Sequence, residues 1–567
     1  MNVHTQLSDA VRQAVEKAFA ESAEPQVSRT QDTQFGDYQT SVAMRLGKTL
    51  KRNPREVAQQ LTETIAWQGL TEAPEIAGPG FINFRLSNDY LGKMVARIAA
   101  DPRGGVEPTT TPQTVVLDFS SPNVAKRLHV GHLRSTILGD AMTRVLRFLG
   151  HHAIADNHVG DWGTQFGLLI LAFRRFGDEE AFKLDPVPYL EDLYKRASEQ
   201  SKQDEAFAAE ARAELAKLQK GDPENLALWS RFVEISRWDV ERLYGMLGVS
   251  FDHWLGESFY NPALPNVVSG LLERGIARED QGAVVVFFDE PELEKHPFLV
   301  QKQDGAFLYS TTDIATIEYR QREWHPQRVL YFVDRRQELH FRQLFTVARK
   351  LGYEMALEHI AFGSILNAEG RPLKTREGNT PSLRGLLQEG IDTALALVRE
   401  NRPDFSAQQA ADVSRSVGIG AIKYADLSQN RLTDYKFDLA KMIAFEGNTG
   451  PYLQYTYARI SSIFRKLGAD WTPPTQVRLE APEEIALARQ LTRFEETLLK
   501  VAEAAMPNYL CDYLFTLAKA YSTFYTNCPI LKSEGETRES RLALCRAVQN
   551  QLAAGLGCLG IEPLTEM

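Results

Sequence analysis

Thr114-Val115-Val116-Leu117-Asp118-Phe119-Ser120-Ser121-Pro122-Asn123-Val124-Ala125-Lys126-Arg127-Leu128-His129-Val130-Gly131-His132 runs from an apolar segment through a polar, proline-bearing turn into a helical pattern. Residues 114–119 read as a buried strand. Beyond the turn, Leu133, Ile137, Leu138, Ala141, Val145, Leu146 and Leu149 recur at helical spacing until Gly150 closes the element. Strand, loop and helix in this order open a doubly wound α/β domain. His129 and His132, three apart at the helix start, share one face. There the helix dipole and free backbone amides favour a phosphate anion. Gly131 leaves room for a planar base or ribose to approach the backbone. The arrangement suits ATP. An isolated H-x-G-H string is equally an ordinary polar surface, but the strand before it, the helix after it and Lys126 three residues ahead of His129 weigh for a nucleotide.

The 567 residues exceed what one core serves, so about three or four domains are expected. With 43% hydrophobic and 24% charged residues, the composition is that of a soluble globular enzyme and excludes a disordered or fibrous chain. A net charge of −10 means that any nucleic-acid partner is held by local basic patches and shape. Asp9, Arg12, Glu16 and Lys17 interrupt the first helix-like stretch, which is not the pattern of a secretory signal, and no apolar run approaches a membrane span. Cys511, Cys528, Cys545 and Cys558 stand far apart in apolar contexts, so they read as reduced, buried thiols rather than as a zinc site or disulfides. The expected compartment is the cytoplasm.

Residues 1–108 mix helices with a strand at 81–86 and end in Asp101-Pro102-Arg103-Gly104-Gly105, the mark of an N-terminal α+β domain. A second domain is expected over 109–380, split by a helical insertion at about 174–280 whose charges are a solvated face. Apolar runs at 283–288, 305–309 and 329–333 predict that the parallel sheet resumes after the insertion. Residues 381–567 are helix-like apart from Asn448-Thr449-Gly450-Pro451 and Trp471-Thr472-Pro473-Pro474, which predicts a C-terminal helical bundle.

The run from Ser120 to His132 resembles the class I aminoacyl-tRNA synthetases, whose first signature is H-x-G-H at a strand-to-helix turn. With Leu133-Arg134-Ser135-Thr136 and Asn157-His158-Val159-Gly160-Asp161-Trp162-Gly163-Thr164-Gln165-Phe166-Gly167, it resembles the arginyl-tRNA synthetases in particular, over nearly the whole chain. The resemblance implies a Rossmann-like class I catalytic domain in an α/β fold, an N-terminal domain that touches the tRNA elbow and an all-α anticodon-binding domain. It also implies ATP contacts from His129, Gly131 and His132. The second class I signature, K-M-S-K-S, is absent; in its place stands the basic loop Gly370-Arg371-Pro372-Leu373-Lys374-Thr375-Arg376-Glu377-Gly378. Most arginyl enzymes depart in the same way, and the family pattern passes part of the lost role to the lysine before the first signature. Lys126 is thus the expected electrophilic catalyst, acting with His129, His132 and Lys374. Lys374 and Arg376 are candidate phosphate contacts, although a basic surface loop is as common where nothing binds.

A guanidinium is planar, permanently charged and presents a fork of donors, so an arginine site needs carboxylates and acceptors in matching geometry. Asp118 ends the first strand, and Asp313 follows Tyr309 by one helical turn; these positions match the family's arginine pattern, although the family often has glutamate where Asp118 stands. Asn123 fits the α-amino or carboxylate end, and Gln337 fits as a further acceptor. A single strand-end aspartate is more often a cap or turn residue, and only the joint placement favours a pocket. Phe81 and Asn83 resemble the tRNA-elbow contacts, and Tyr455 and Arg459 the start of the anticodon-binding domain; both sets suit stacking and hydrogen bonding to unpaired bases, and both equally suit packing.

What the resemblance implies is an arginine–tRNA ligase that forms arginyl-adenylate from L-arginine and ATP with Mg²⁺, then transfers the arginyl group to tRNA(Arg). No tightly bound metal or organic cofactor, no membrane and a monomer are expected. Another class I synthetase, a smaller adenylyltransferase and a catalytically silent tRNA-binding paralogue are the rivals. Length and the helical C-terminal third weigh against the second, and the intact Lys126, His129 and His132 against the third.

Overall fold

The computed structural model describes every residue except Met1, Ala125, 368–369, 371–381 and 469–470, and leaves out the side chain of Thr33. The chain packs into two compact units. One comprises Thr109–Ala444 with Leu559–Ile561, and the other Met1–Pro108, Phe445–Cys558 and Glu562–Met567.

The first unit is built on a four-stranded, wholly parallel sheet in the order Ala356–His359, Arg328–Tyr331, Thr114–Asp118, His152–Asp156. Val115, Val116 and Leu117 are fully buried, as expected of a strand covered on both faces. The register aligns Asp156, Asp118, Tyr331 and His359 in one row at the carboxyl edge. The chain places its next strand on one side of Thr114–Asp118 and a later one on the other, so the order reverses there. Such a switch point opens a crevice at the carboxyl ends of the strands. The helix Val130–Phe148 returns along the sheet with most of its residues buried. Gly139 lets it approach closely, since a Cβ at that position would lie 2.1 Å from Cγ of Phe119.

The insertion is helical, from Thr164–Phe176 through Pro186–Gln203 and Glu205–Gln219 to Pro223–Leu247, around a core that includes Phe166, Phe173, Phe182, Phe207 and Phe232. The prediction that the sheet resumes at 283–288 and 305–309 is not met. Ala283–Val286 lies between Arg278–Asp280 and Phe298–Gln301 in a separate antiparallel sheet. Gln281 and Gly282, both with positive φ, close the first of these hairpins. At 305–309, Gly305 sits in a turn and Tyr309 begins the helix Tyr309–Trp324, with Leu308 as its extended N-cap. A short apolar run fits any buried strand or helix start, and only pairing decides which. Of the three runs, the one at 329–333 alone rejoins the parallel sheet. This unit continues through Ala444, past the expected boundary at 380, because the helices Leu383–Asn401 and Ala407–Leu427 pack within it. Helical composition on both sides hides that boundary.

The second unit holds the antiparallel sheet Val27–Arg29, Tyr38–Thr40, Phe81–Phe84, Glu75–Ala77, together with helices that include Gly450–Leu467, Asn508–Asn527 and Gly535–Cys558. All four cysteines are buried thiols outside any disulfide. Among the described residues no helix is long and apolar enough to cross a membrane.

Gly139→Ala is expected to destabilise the fold by about 1–3 kcal/mol through overpacking against Phe119, despite alanine's better helix propensity. A thermal midpoint equal to or above that of the unaltered chain would show that the helix has room to move.

Candidate active site

The crevice at the switch point is a cavity of about 810 Å³ lined from the strand ends, the helix Val130–Phe148, the helix Tyr309–Trp324 and the segment 362–365. It begins with a strained turn. Ser120 and Ser121 have φ of 68° and 43°, a left-handed pair that side-chain-bearing residues adopt at a cost of about 1–3 kcal/mol each. Hydrogen bonds hold them there. The Ser120 amide donates to Ser135 Oγ at 2.8 Å, the Ser120 hydroxyl meets Tyr244 Oη at 2.5 Å, and the Ser121 amide donates to Asn157 Oδ1 at 3.1 Å. The turn leads to Asn123, whose side chain is exposed and lines the cavity. Gly160 makes this possible, because a Cβ there would lie 2.2 Å from Asn123 Oδ1.

The two histidines form the other wall. His129 is the N-cap of its helix, and its Nδ1 accepts the Gly131 amide at 3.0 Å. His132 Nδ1 accepts the His129 amide at 3.2 Å, and the ring centroids are 4.0 Å apart. Burial, reinforced by the neighbouring imidazole, pushes His132 down to about 3; burial likewise lowers His129. Both rings are therefore neutral near pH 7. Since each Nδ1 accepts, each proton resides on Nε2, so that the pair offers two neutral N–H donors. Gly131 serves His129 first: a Cβ there would come 2.8 Å from that ring.

The third wall is acidic. Asp313 Oδ2 lies 2.6 Å from His340 Nε2, and the ring of Tyr309, itself 60% exposed, sits 4.8 Å from the same imidazole. Gln337, in the short turn before the helix Glu338–Lys350, joins them in the lining. Glu257 adds a second carboxyl group, which burial, opposed by His158 and aided by Asp313 and Asp161, raises to about 7. Asp118 also lines the cavity, but its Oδ2 already accepts Arg320 Nη2 at 2.6 Å, and its Oδ1 accepts the Ser121 hydroxyl at 3.0 Å. An acidic wall facing paired N–H donors at a helix N-terminus suits a ligand cationic at one end and close to phosphate at the other.

The structure thus brings Asp118, Asn123, His129, Gly131, His132, Tyr309, Asp313 and Gln337 to one cavity. Lys126 is not among the lining residues; its Nζ sits 5.0 Å over the ring of Tyr194 on an insertion helix. Lys374 and Arg376 lie outside the described residues. In the second unit Asn83 is only 6% exposed, Phe81 is half-buried, Tyr455 is 46% exposed, and the Arg459 guanidinium covers the Tyr525 ring at 3.8 Å. Sequence reasoning missed Glu257 and His340. Glu257 follows the last long insertion helix without a periodic pattern, and His340 stood three residues beyond Gln337 with nothing to show that its helix faces Asp313.

Three family descriptions match along the chain. Residues 95–439 match the family described as tRNA synthetases class I (R), catalytic domain. Residues 453–567 match the DALR anticodon binding domain, and residues 5–86 the arginyl tRNA synthetase N terminal domain. The chain is 44% identical to an arginine–tRNA ligase of Marinomonas sp. (strain MWYL1) and 46% identical to one of Klebsiella pneumoniae (strain 342), over 100% of both chains in each case. Among solved structures it resembles the arginyl-tRNA synthetase of Plasmodium falciparum with a TM-score of 0.85 at 28% identity, covering 100% of this chain and 99% of that one. That of Thermus thermophilus matches at 0.83 and 26%, over 100% of each chain.

The raised Glu257 carboxyl makes cation binding pH-dependent. In the empty cavity it holds its proton below about 7, and an incoming guanidinium favours the carboxylate, so that binding releases a proton there. Affinity for arginine is expected to fall as pH drops below 7, by at most about tenfold per unit, and to level off above it. Calorimetric titrations in buffers of different ionisation enthalpy measure the released proton. Glu257→Gln should abolish it; its persistence in that variant would assign the titration elsewhere.

Proposed function

The chain belongs to the arginyl-tRNA synthetases and joins arginine to tRNA, and from that premise we propose how its own residues do so. The observation that supports the reading best is the convergence on one cavity of an acidic wall, Asp313 with Glu257, and two neutral Nε2–H donors at a helix N-terminus.

L-Arginine enters guanidinium first. Asp313 and Glu257 receive the fork, the Tyr309 hydroxyl oxygen and the Gln337 carbonyl accept beside it, and Asp118, its charge already paired with Arg320, bounds the pocket at the strand end. Asn123 holds the α-amino end near the strained serine turn. ATP, bound as its Mg²⁺ complex, lies along the helix N-terminus, where His129 and His132 donate to it and Gly131 keeps the backbone open. The arginine carboxylate attacks the α-phosphorus, and pyrophosphate leaves. No protein nucleophile takes part; the chain contributes alignment and offsets the phosphate charge. Lys126 supplies positive charge to the departing pyrophosphate after leaving the Tyr194 ring, with Lys374 and Arg376 beside it. The tRNA terminal ribose hydroxyl then attacks the arginyl carbonyl, the acyl–phosphate bond breaks, and AMP leaves. Phe81 and Asn83 serve the tRNA elbow, and Tyr455 and Arg459 the anticodon loop. We assign residues 1–108 to the tRNA elbow, 109–444 to catalysis and 445–567 to the anticodon, and the protein as a cytoplasmic monomer.

Exchange of pyrophosphate into ATP, run with each of the twenty amino acids with and without total tRNA, tests the whole reading. Exchange with arginine alone is expected, and only in the presence of tRNA, because the family resemblance implies that activation needs bound tRNA. Exchange with another amino acid would overturn the pocket. Asp313→Asn should weaken arginine by about 2–5 kcal/mol while the KM for ATP stays near its original value. Lys126→Ala should lower adenylate formation far more than tRNA affinity, and equal losses in the two would remove its catalytic assignment.

A further inference from the structure

The helix Tyr309–Trp324 meets the arginine pocket twice. Tyr309 and Asp313 lie in its first turns, and Arg320 stands about two turns beyond Asp313 on the same side. The Arg320 side chain is 0% exposed. Its Nη2 donates to Asp118 Oδ2 at 2.6 Å and to Asp156 Oδ2 at 2.7 Å, and its Nε to Asp156 Oδ2 at 3.2 Å. Asp118 and Asp156 are register partners at the carboxyl ends of adjacent parallel strands. A single side chain therefore keys the pocket helix to both strand ends. The remaining Asp118 oxygen accepts the Ser121 hydroxyl, so the same ion cluster reaches the strained turn that presents Asn123.

Burial of one guanidinium between two carboxylates is costly, and well-packed apolar side chains join a helix to a sheet equally well. The cluster does something apolar packing cannot. Asp118 and Asp156 form a site for a guanidinium directly beside a cavity whose substrate carries one, and Arg320 occupies it permanently. We propose that Arg320 is a positioning residue for substrate selection: as a built-in guanidinium it denies Asp118 and Asp156 to the incoming arginine, directs that arginine to Asp313 and Glu257, and so sets the register in which its carboxylate reaches ATP.

This proposal rests on the reading that the cavity takes arginine, and the experiment separates the two. Methylguanidinium is added to tRNA-dependent pyrophosphate exchange by the unaltered protein, Arg320→Ala and Arg320→Lys, all full-length. With the unaltered protein, methylguanidinium only inhibits, in competition with arginine. Arg320→Ala raises the arginine KM on the order of a hundredfold through misregistration, with the ATP KM little changed. Low concentrations of methylguanidinium lower that arginine KM by refilling the vacated site before higher ones inhibit. Arg320→Lys keeps the charge but not the fork, so it shows a smaller rise and no rescue. An arginine KM left unchanged by both variants overturns the proposal. So does a parallel loss of arginine and ATP affinity that follows the thermal midpoint and resists rescue. Where Arg320→Ala does not fold, an unchanged arginine KM in Arg320→Lys is itself decisive against it. Failure of methylguanidinium to compete with arginine in the unaltered protein overturns the pocket reading beneath it.

Discussion

The chain must leave the strand Thr114–Asp118, turn sharply and enter the helix Val130–Phe148 with His129 at the N-cap, and the rest of the catalytic unit is arranged around that constraint. Two consecutive left-handed serines make the turn, a conformation the backbone does not favour without glycine. It persists because its surroundings over-determine it: Ser135 and Thr136 from the helix, Asn157 from beyond the next strand and Tyr244 from the insertion all bond to it. Functional sites are where such strain is tolerated, since it aims polar groups in directions a relaxed loop does not reach.

Buried charge carries the same logic into the interior. Arg134, two residues beyond His132, is 1% exposed; its Nε donates to Asp426 at 3.2 Å, and its Nη1 to the carbonyls of Gly363 and Thr433 at 2.8 and 3.0 Å. Asp426 in turn accepts the Tyr435 hydroxyl at 2.8 Å. Lys423, fully buried, donates to the Leu247 and Gly560 carbonyls at 2.9 and 2.7 Å and lies 3.6 Å from Asp140. Each of these cations joins segments distant in sequence, which apolar packing would hold with less directional definition. Their desolvation cost makes them poor sources of stability; what they offer is geometry.

Much of the site was legible in the order of residues. The strand, the turn, the H-x-G-H helix and the Tyr309–Asp313 pair lie within local windows, where periodicity and one-turn spacing apply. The return of the sheet was misread at 283–288 and 305–309 because runs of five or six residues do not specify which strand they pair with, or whether they pair at all. Lys126 shows the opposite limit. Its place in the motif is plain in the sequence, yet its ammonium group rests on Tyr194, a ring contributed by an insertion helix far along the chain.

From the sequence by itself came the family and the reaction, through a resemblance carried by short motifs, together with most of the candidate residues that the fold gathers at one cavity. The tertiary structure alone decided what those residues touch. It turned Asp118 toward Arg320, buried Glu257 until its carboxyl titrates near neutrality, set His340 against Asp313 and folded the His129 ring over Gly131. The physical reason is that charge, burial and hydrogen bonding are pairwise quantities between segments brought together only by folding, and local order carries no record of the partner.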